Sequence, residues 1–335
     1  MPRLKKLVKV IFVLAFSLTA YFGVAKAASA SYAVIDADSG RLLFGSSPHV
    51  KMPIASLTKM WTALVAVENA DLDMEVTISH EAVLAEGSSI YLEPGEKVKL
   101  ETLLYGLMLR SGNDAAHAIA ESVGGSLEGF VDLMNEKALL YGLQNTYFTN
   151  PSGLHHEYHI STAYDTALML KYAMDNENFR EIATTITYNS TDKLTHGTNW
   201  LNKHRLLREK VGAIAGKTGF TKVAGRTLAT YFEQDGKRVI VVTLNESNDW
   251  QVHKYLAQKA FDEYKAVTVA EKGTYNVNKK ISVKLEEPIR LLLTPKEEEQ
   301  LKNVVYLSRK QSEFGIWHVF LNDRSVFTKK VDLET

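Results

Sequence analysis

The chain has 335 residues, no cysteine, and 39 basic against 39 acidic side chains. The absence of cysteine excludes thiolate catalysis, thiolate metal sites and disulfides, so packing alone must hold the fold. Arg3, Lys5, Lys6 and Lys9 precede an apolar run from Val10 to Val24, followed by Ala25, Ala27, Ala28 and Ala30. That order reads as a secretory signal peptide over residues 1–27, with an uncleaved anchor as the alternative; either places the working part outside the cytoplasm. Cleavage removes five basic and no acidic side chains, leaving 39 − 5 = 34 against 39. A mildly acidic chain is not expected to take nucleic acid as a partner.

The 335 − 27 = 308 residues that remain suggest a large domain followed by a small one. Residues 32–36 and 41–44 alternate as strands around a turn at Asp38-Ser39-Gly40, which predicts a hairpin. Ile54, Leu57, Trp61, Leu64 and Val65 follow helical spacing after Pro53, predicting a buried helix over 54–69. Strands are expected at 76–78 and 89–92. A helix over 100–109 must stop at Arg110-Ser111-Gly112-Asn113, with Asp114 capping the next, small-residue helix over 115–122. Helices over 127–141 and from a Thr162/Asp165 capping box to residue 174 complete a helical middle. Alternation returns at 213–217, 226–232 and 238–244, before an amphipathic helix over 250–264. Strands from both ends of the domain enclosing a helical middle define an α+β fold. The stretch 267–274 reads as a boundary, placing one domain at 28–266 and a small β-rich module at 275–335 with strands over 277–285, 289–293, 304–308 and 316–320.

Three short motifs carry the chemistry: Ser56-Leu57-Thr58-Lys59, Ser111-Gly112-Asn113 and Lys217-Thr218-Gly219. Each alone has a bland reading, as a helix start, a helix-joining turn and a strand-ending turn. Together they are harder to dismiss. Ser56 falls in the first turn of a helix, where free N–H groups favour negative charge, and Lys59 lies on the same face. A lysine desolvated among Leu57, Met60 and Trp61 loses basicity and can serve as the base that a serine nucleophile needs. Ser-x-x-Lys, a Ser-x-Asn-type triplet and Lys-Thr-Gly, in that order, is the pattern of penicillin-binding proteins and class A β-lactamases.

Further blocks extend the likeness: Ile54 to Met60, Gly87-Ser88-Ser89 with Pro94-Gly95, Leu107 to Ala116, Asn150-Pro151-Ser152-Gly153, Ser161 to Asp165, and Gly216 to Thr221. The chain thereby resembles the D-alanyl-D-alanine carboxypeptidases of serine peptidase family S11, the low-molecular-weight penicillin-binding proteins, firmly over 31–265 and loosely over 275–335. Among these it is most similar to the sporulation-type enzymes of Gram-positive bacteria. The resemblance implies a transpeptidase-like domain followed by a small all-β domain. It also implies peptidoglycan stem peptides as substrate, β-lactam antibiotics as inhibitors, and no cofactor or metal. By the same resemblance Ser56 is the nucleophile, Lys59 its base, and Ser111 a proton relay to the leaving amine. Asn113 bonds the substrate amide, Lys217 and Thr218 hold the terminal carboxylate beside Gly219, and the N–H groups of Ser56 and Phe220 form the oxyanion hole.

Two departures stand out. Some relatives carry histidine where Phe220 stands, and an arginine where this chain reads Leu244-Asn245-Glu246-Ser247; Arg226 is the candidate substitute. No basic amphipathic tail precedes Asp332-Leu333-Glu334-Thr335, so no stable membrane anchor is expected. A β-lactamase is the nearest rival, disfavoured because no glutamate accompanies Asn150-Pro151-Ser152-Gly153 to activate a deacylating water. A zinc peptidase built on His155, His156 and His159 is disfavoured because Pro151 and Gly153 make the segment a loop. A non-catalytic wall-binding protein is disfavoured because a pure binder needs no buried lysine beside a serine.

Overall fold

A computed structural model describes residues 30–197, 199–277, 281–307 and 313–334. The signal peptide expected over 1–27 lies outside the described residues. The central sheet has five antiparallel strands, β1 (Ser31–Asp36), β2 (Leu42–Ser46), β3 (Ala213–Thr221), β4 (Gly225–Gln234) and β5 (Lys237–Leu244), in the order β2-β1-β5-β4-β3. Its two ends therefore come from opposite ends of the domain, as the sequence pattern implies.

Strand alternation splits the core into layers. Ala33, Ile35, Ile240 and Val242 face the larger cluster, while Val34, Val239 and Val241 face a second one with Leu256, Ala257, Ala260 and Phe261. The first layer belongs to helices α1 (Thr58–Asn69) and α5 (Ala163–Asp175), the second to α7 (Asp249–Glu263). Between α1 and α5 come α2 (Leu100–Tyr105), α3 (Asn113–Gly124) and α4 (Leu127–Leu140), and α6 (Glu177–Thr184) follows α5. Among the described residues no helix is long and apolar enough to cross a membrane.

Several local expectations need correction. Residues 89–92 are not a strand; the partner of Glu75–Thr77 is Lys97–Lys99. Asp114 does not cap a helix from outside, because α3 begins at Asn113. Its carboxylate instead accepts from Ser89 Oγ (2.6 Å) and from the Ile90 and Leu92 N–H groups, pinning the 89–92 loop against α3. Thr162 does cap α5 through the Asp165 N–H (3.0 Å), but the Asp165 carboxylate turns to the Asn145 N–H and the Thr146 hydroxyl, so the box is half-formed.

The stretch read as a boundary carries strand β6 (Lys265–Ala270), paired with β9 (Ile289–Leu293). Strands β7 (Gly273–Asn276), β8 (Ser282–Leu285), β10 (Leu301–Leu307), β11 (Phe314–Leu321) and β12 (Arg324–Glu334) form a sheet ordered β7-β8-β12-β11-β10. Val283, Leu285, Leu291, Leu293, Trp317, Val319 and Val331 give it an apolar core of its own. The β6–β9 pair and the helical turn after it are tied to the central sheet by Asp36, which accepts from the Leu292 N–H (3.0 Å), and by Arg41, which bonds the Leu292 carbonyl and the Glu297 carboxylate.

Candidate active site

Ser56 sits in a 3-10 turn, Ala55–Leu57, that leads directly into α1. Ala55 has a φ of 49°, and such a left-handed alanine costs on the order of 1 kcal/mol. Gly153 makes room for the turn: a Cβ there would lie 2.0 Å from the Ala55 carbonyl oxygen. One helical turn later Lys59 is wholly buried, with Nζ 3.2 Å from Ser56 Oγ.

The serine of the second motif is presented differently. After α2 the chain widens into a π-type turn, Gly106–Arg110, and Ser111 follows with a φ of 66°. Wide turns and left-handed residues are uncommon in helices and concentrate where side chains are aimed at a site. Asn113, at the start of α3, reaches back to Lys59. Strand β3 brings the third motif: Lys217 Nζ lies 3.0 Å from Ser111 Oγ and 3.0 Å from the Thr218 carbonyl. A Cβ on Gly219 would lie 3.0 Å from the Ser56 nitrogen and 2.5 Å from Thr227 Oγ1, so only glycine lets the strand edge come this close.

The partners of Lys59 can accommodate a neutral amine. Nζ contacts Asn113 Oδ1 (2.7 Å), the Ser152 carbonyl (2.5 Å) and Ser56 Oγ. The Asn113 amide nitrogen faces the Glu86 carbonyl, which can only accept, so the oxygen end is the one turned to the lysine. Two of the three partners are thus pure acceptors. A neutral amine has two N–H groups for them and a lone pair left for the one partner that can donate, the Ser56 hydroxyl. Burial, reinforced by the charges of Lys217 and Lys203, holds Lys59 well below the usual lysine range. Burial and Lys203 likewise bring Lys217 down to about 7.

Ser56, Ser111, Thr218, Gly219 and Phe220 line one cleft of about 320 Å³, a modest volume beside the ~300–1,000 Å³ of ordinary ligand pockets. Lys59, Asn113 and Lys217 stand behind its wall. The Phe220 side chain is exposed, and its backbone pairs with Arg226 on β4. Arg226 lines the cleft, but its guanidinium is held by the buried Asp249 carboxylate in a two-pronged contact (2.8 and 3.1 Å) beneath Trp250. A residue that motif reasoning missed is Lys203, an exposed side chain lining the same cleft, whose pKa is lowered by partial desolvation and by Arg110. It lies in a stretch without a helical or strand period, and only the fold brings it to Ser56. Ser152 was also missed as a contact, since it acts through its carbonyl rather than its side chain.

The site and fold together define a serine hydrolase of the acyl-transfer kind. The chain belongs to the Peptidase_S11 family, described as D-alanyl-D-alanine carboxypeptidase, which it matches over residues 19–248. It is 36% identical over 283 residues to D-alanyl-D-alanine carboxypeptidase DacF of Bacillus subtilis, covering 78% of this chain and 72% of that one. A mutant of the Streptomyces K15 DD-transpeptidase superposes with a TM-score of 0.62 at 30% identity, covering 67% of this chain and 96% of the other. Penicillin-binding protein 5 of Haemophilus influenzae shares the fold at 24% identity, with a TM-score of 0.75 over 91% of this chain and 96% of the other. That match reaches past the catalytic domain into the C-terminal β region.

Proposed function

We propose that this protein removes the terminal D-alanine from peptidoglycan stem peptides outside the cytoplasm, by a two-step acyl transfer through Ser56. The observation that carries the reading is the set of Lys59 partners, two acceptors and one hydroxyl, around a buried amine. Neutral Lys59 takes the Ser56 proton as Oγ bonds to the carbonyl carbon between the last two D-alanines. The N–H groups of Ser56 and Phe220 receive the developing oxyanion, a role in which a single donor is typically worth about 10²–10³ in rate. Ser111, in contact with Lys217, delivers a proton to the departing amine nitrogen, and D-alanine leaves. Water then adds to the ester, restoring Ser56 and releasing the shortened stem.

Lys217 and Thr218 hold the terminal carboxylate, and Lys203 supplies the additional positive charge. Arg226, the candidate that the sequence offers for this role, has its charge neutralised by Asp249. Asn113 is engaged at both ends, by Lys59 and by the Glu86 carbonyl, so it orients the base as it stands and meets a substrate amide only by exchanging one of them. β-Lactam antibiotics acylate the same serine. The sporulation-type role is part of the proposal, and the likeness to a Bacillus carboxypeptidase agrees with it.

The test is D-alanine release from a pentapeptide muropeptide, with labelling by fluorescent penicillin in parallel. Ser56→Ala should abolish both and leave the melting temperature unchanged. Rapid turnover of the penicillin would favour a β-lactamase, and activity surviving in Ser56→Ala would refute the nucleophile.

A further inference from the structure

His159 takes no part in the chemistry above, yet it is 2% exposed and lies at the back of the nucleophile turn. Its Nδ1 is 3.1 Å from the Thr149 nitrogen. A backbone N–H can only donate, so Nδ1 carries the lone pair and the ring proton sits on Nε2. Nε2 lies 2.8 Å from Thr58 Oγ1, and that hydroxyl in turn lies 2.9 Å from the Ala55 carbonyl oxygen. The direction of the chain is set from end to end. Thr149 N–H donates to His159, His159 to Thr58, and Thr58 to Ala55.

The carbonyl at the end of this chain is no ordinary acceptor. It belongs to the left-handed residue just before the nucleophile, and Gly153 packs closely against both it and the Thr58 hydroxyl. The Ala55 C=O and the Ser56 N–H are opposite edges of one planar trans peptide, so aiming one aims the other. A hydrogen bond to the carbonyl also polarises the N–H across the plane.

We propose that His159, acting through Thr58, is a positioning residue that holds the Ala55–Ser56 peptide so that its N–H points into the cleft as an oxyanion donor. The idea rests on Ser56 being the nucleophile. It also gives the His155–His159 segment a use other than metal binding. His155, His156, Glu157 and Tyr158 face solvent, while His159 turns inward against Phe148. The clamp needs a neutral ring. Burial above all holds the His159 pKa down to about 3, so the ring is neutral near neutral pH.

Two pairs of variants in the full exported chain test this. Thr58→Val removes the hydroxyl at constant shape, and Thr58→Ser restores it. His159→Asn offers an amide oxygen to the Thr149 N–H but nothing to Thr58, whereas His159→Gln places a donor where Nε2 stood and abandons Thr149. The readouts are kcat and KM for D-alanine release, the acylation rate with fluorescent penicillin, and the melting temperature. Thr58→Val and His159→Asn should lower kcat and the acylation rate by about 10- to 100-fold with KM unchanged, the scale of a misaimed reacting group. Thr58→Ser and His159→Gln should recover most of that loss.

A folded Thr58→Val that acylates at the wild-type rate would overturn the proposal. So would a His159→Gln as impaired as His159→Asn, because the ring would then serve only to hold the 149 loop. Losses that track melting temperature, or that appear in KM, would do the same. If instead the wild-type chain is not labelled at Ser56 at all, the enzymatic reading fails first.

Discussion

Replacing Gly153 by alanine should disable the enzyme through a contact one residue away from Ser56, the proposed nucleophile. The built Cβ lies 2.0 Å from the Ala55 carbonyl oxygen and 2.5 Å from its carbon. An ordinary C···O approach is about 3.3 Å, so relief demands a shift of about 1.3 Å. That shift falls on the peptide that carries the Ser56 N–H, and on a serine whose Oγ already lies 3.2 Å from Lys59 Nζ. Misplacement by about 1 Å costs on the order of 10²-fold in rate, or about 2.7 kcal/mol of barrier. Gly153 also has a φ of 82°, so the alanine adds roughly 1–2 kcal/mol of backbone strain to the folded state. Gly142→Ala is the control, with a φ of 72° and nothing within 4 Å of the added carbon, so it carries the strain without the collision. Acylation by fluorescent penicillin, followed by gel fluorescence over time, should be slowed in Gly153→Ala and unaffected in Gly142→Ala. Equal rates in the two variants would refute the argument.

Lys59→Met should reduce acylation by about 10²–10⁴, the usual contribution of a general base, while a melting scan shows a folded protein. Lys217, at about 7 in the fold against an ordinary 10.5, leaves the folded chain with fewer bound protons than the unfolded one between those values. Its contribution to stability is therefore least below 7 and rises with pH through that window, so the melting advantage of Lys217→Met should shrink from about pH 6 to about pH 10. The same titration removes the positive charge proposed for carboxylate binding, and KM for the pentapeptide should climb as pH passes 7 in the wild type. Incubation with EDTA should leave D-alanine release unchanged; a loss restored by zinc would revive the metallopeptidase reading.

Much of the architecture could be read from local patterns, because alternation and helical spacing report which side of an element is buried. The strands of the central sheet and the helices over 54–69, 127–141 and 250–264 carry such periods and lie within a few residues of where the structure places them. Residues 89–92 misled because their apolar character serves a loop, one held by the Asp114 carboxylate from 22 to 25 positions away. Strand β6 was invisible as a pairing partner, since its mate β9 follows only after two further strands.

The candidate site residues were legible for a chemical reason: a serine, a lysine three residues on, and two polar triplets are the parts a lysine-assisted acyl transfer requires, whatever the fold. What those letters could not convey is direction. Only the tertiary structure turns the Ser152 carbonyl and Asn113 toward Lys59, sets Lys203 in the cleft, occupies Arg226 with Asp249, and runs His159 through Thr58 to the peptide before Ser56. Composition and spacing settle which groups are present. Their protonation and aim depend on burial and on partners tens to a hundred residues distant, which the folded chain alone brings within hydrogen-bonding reach.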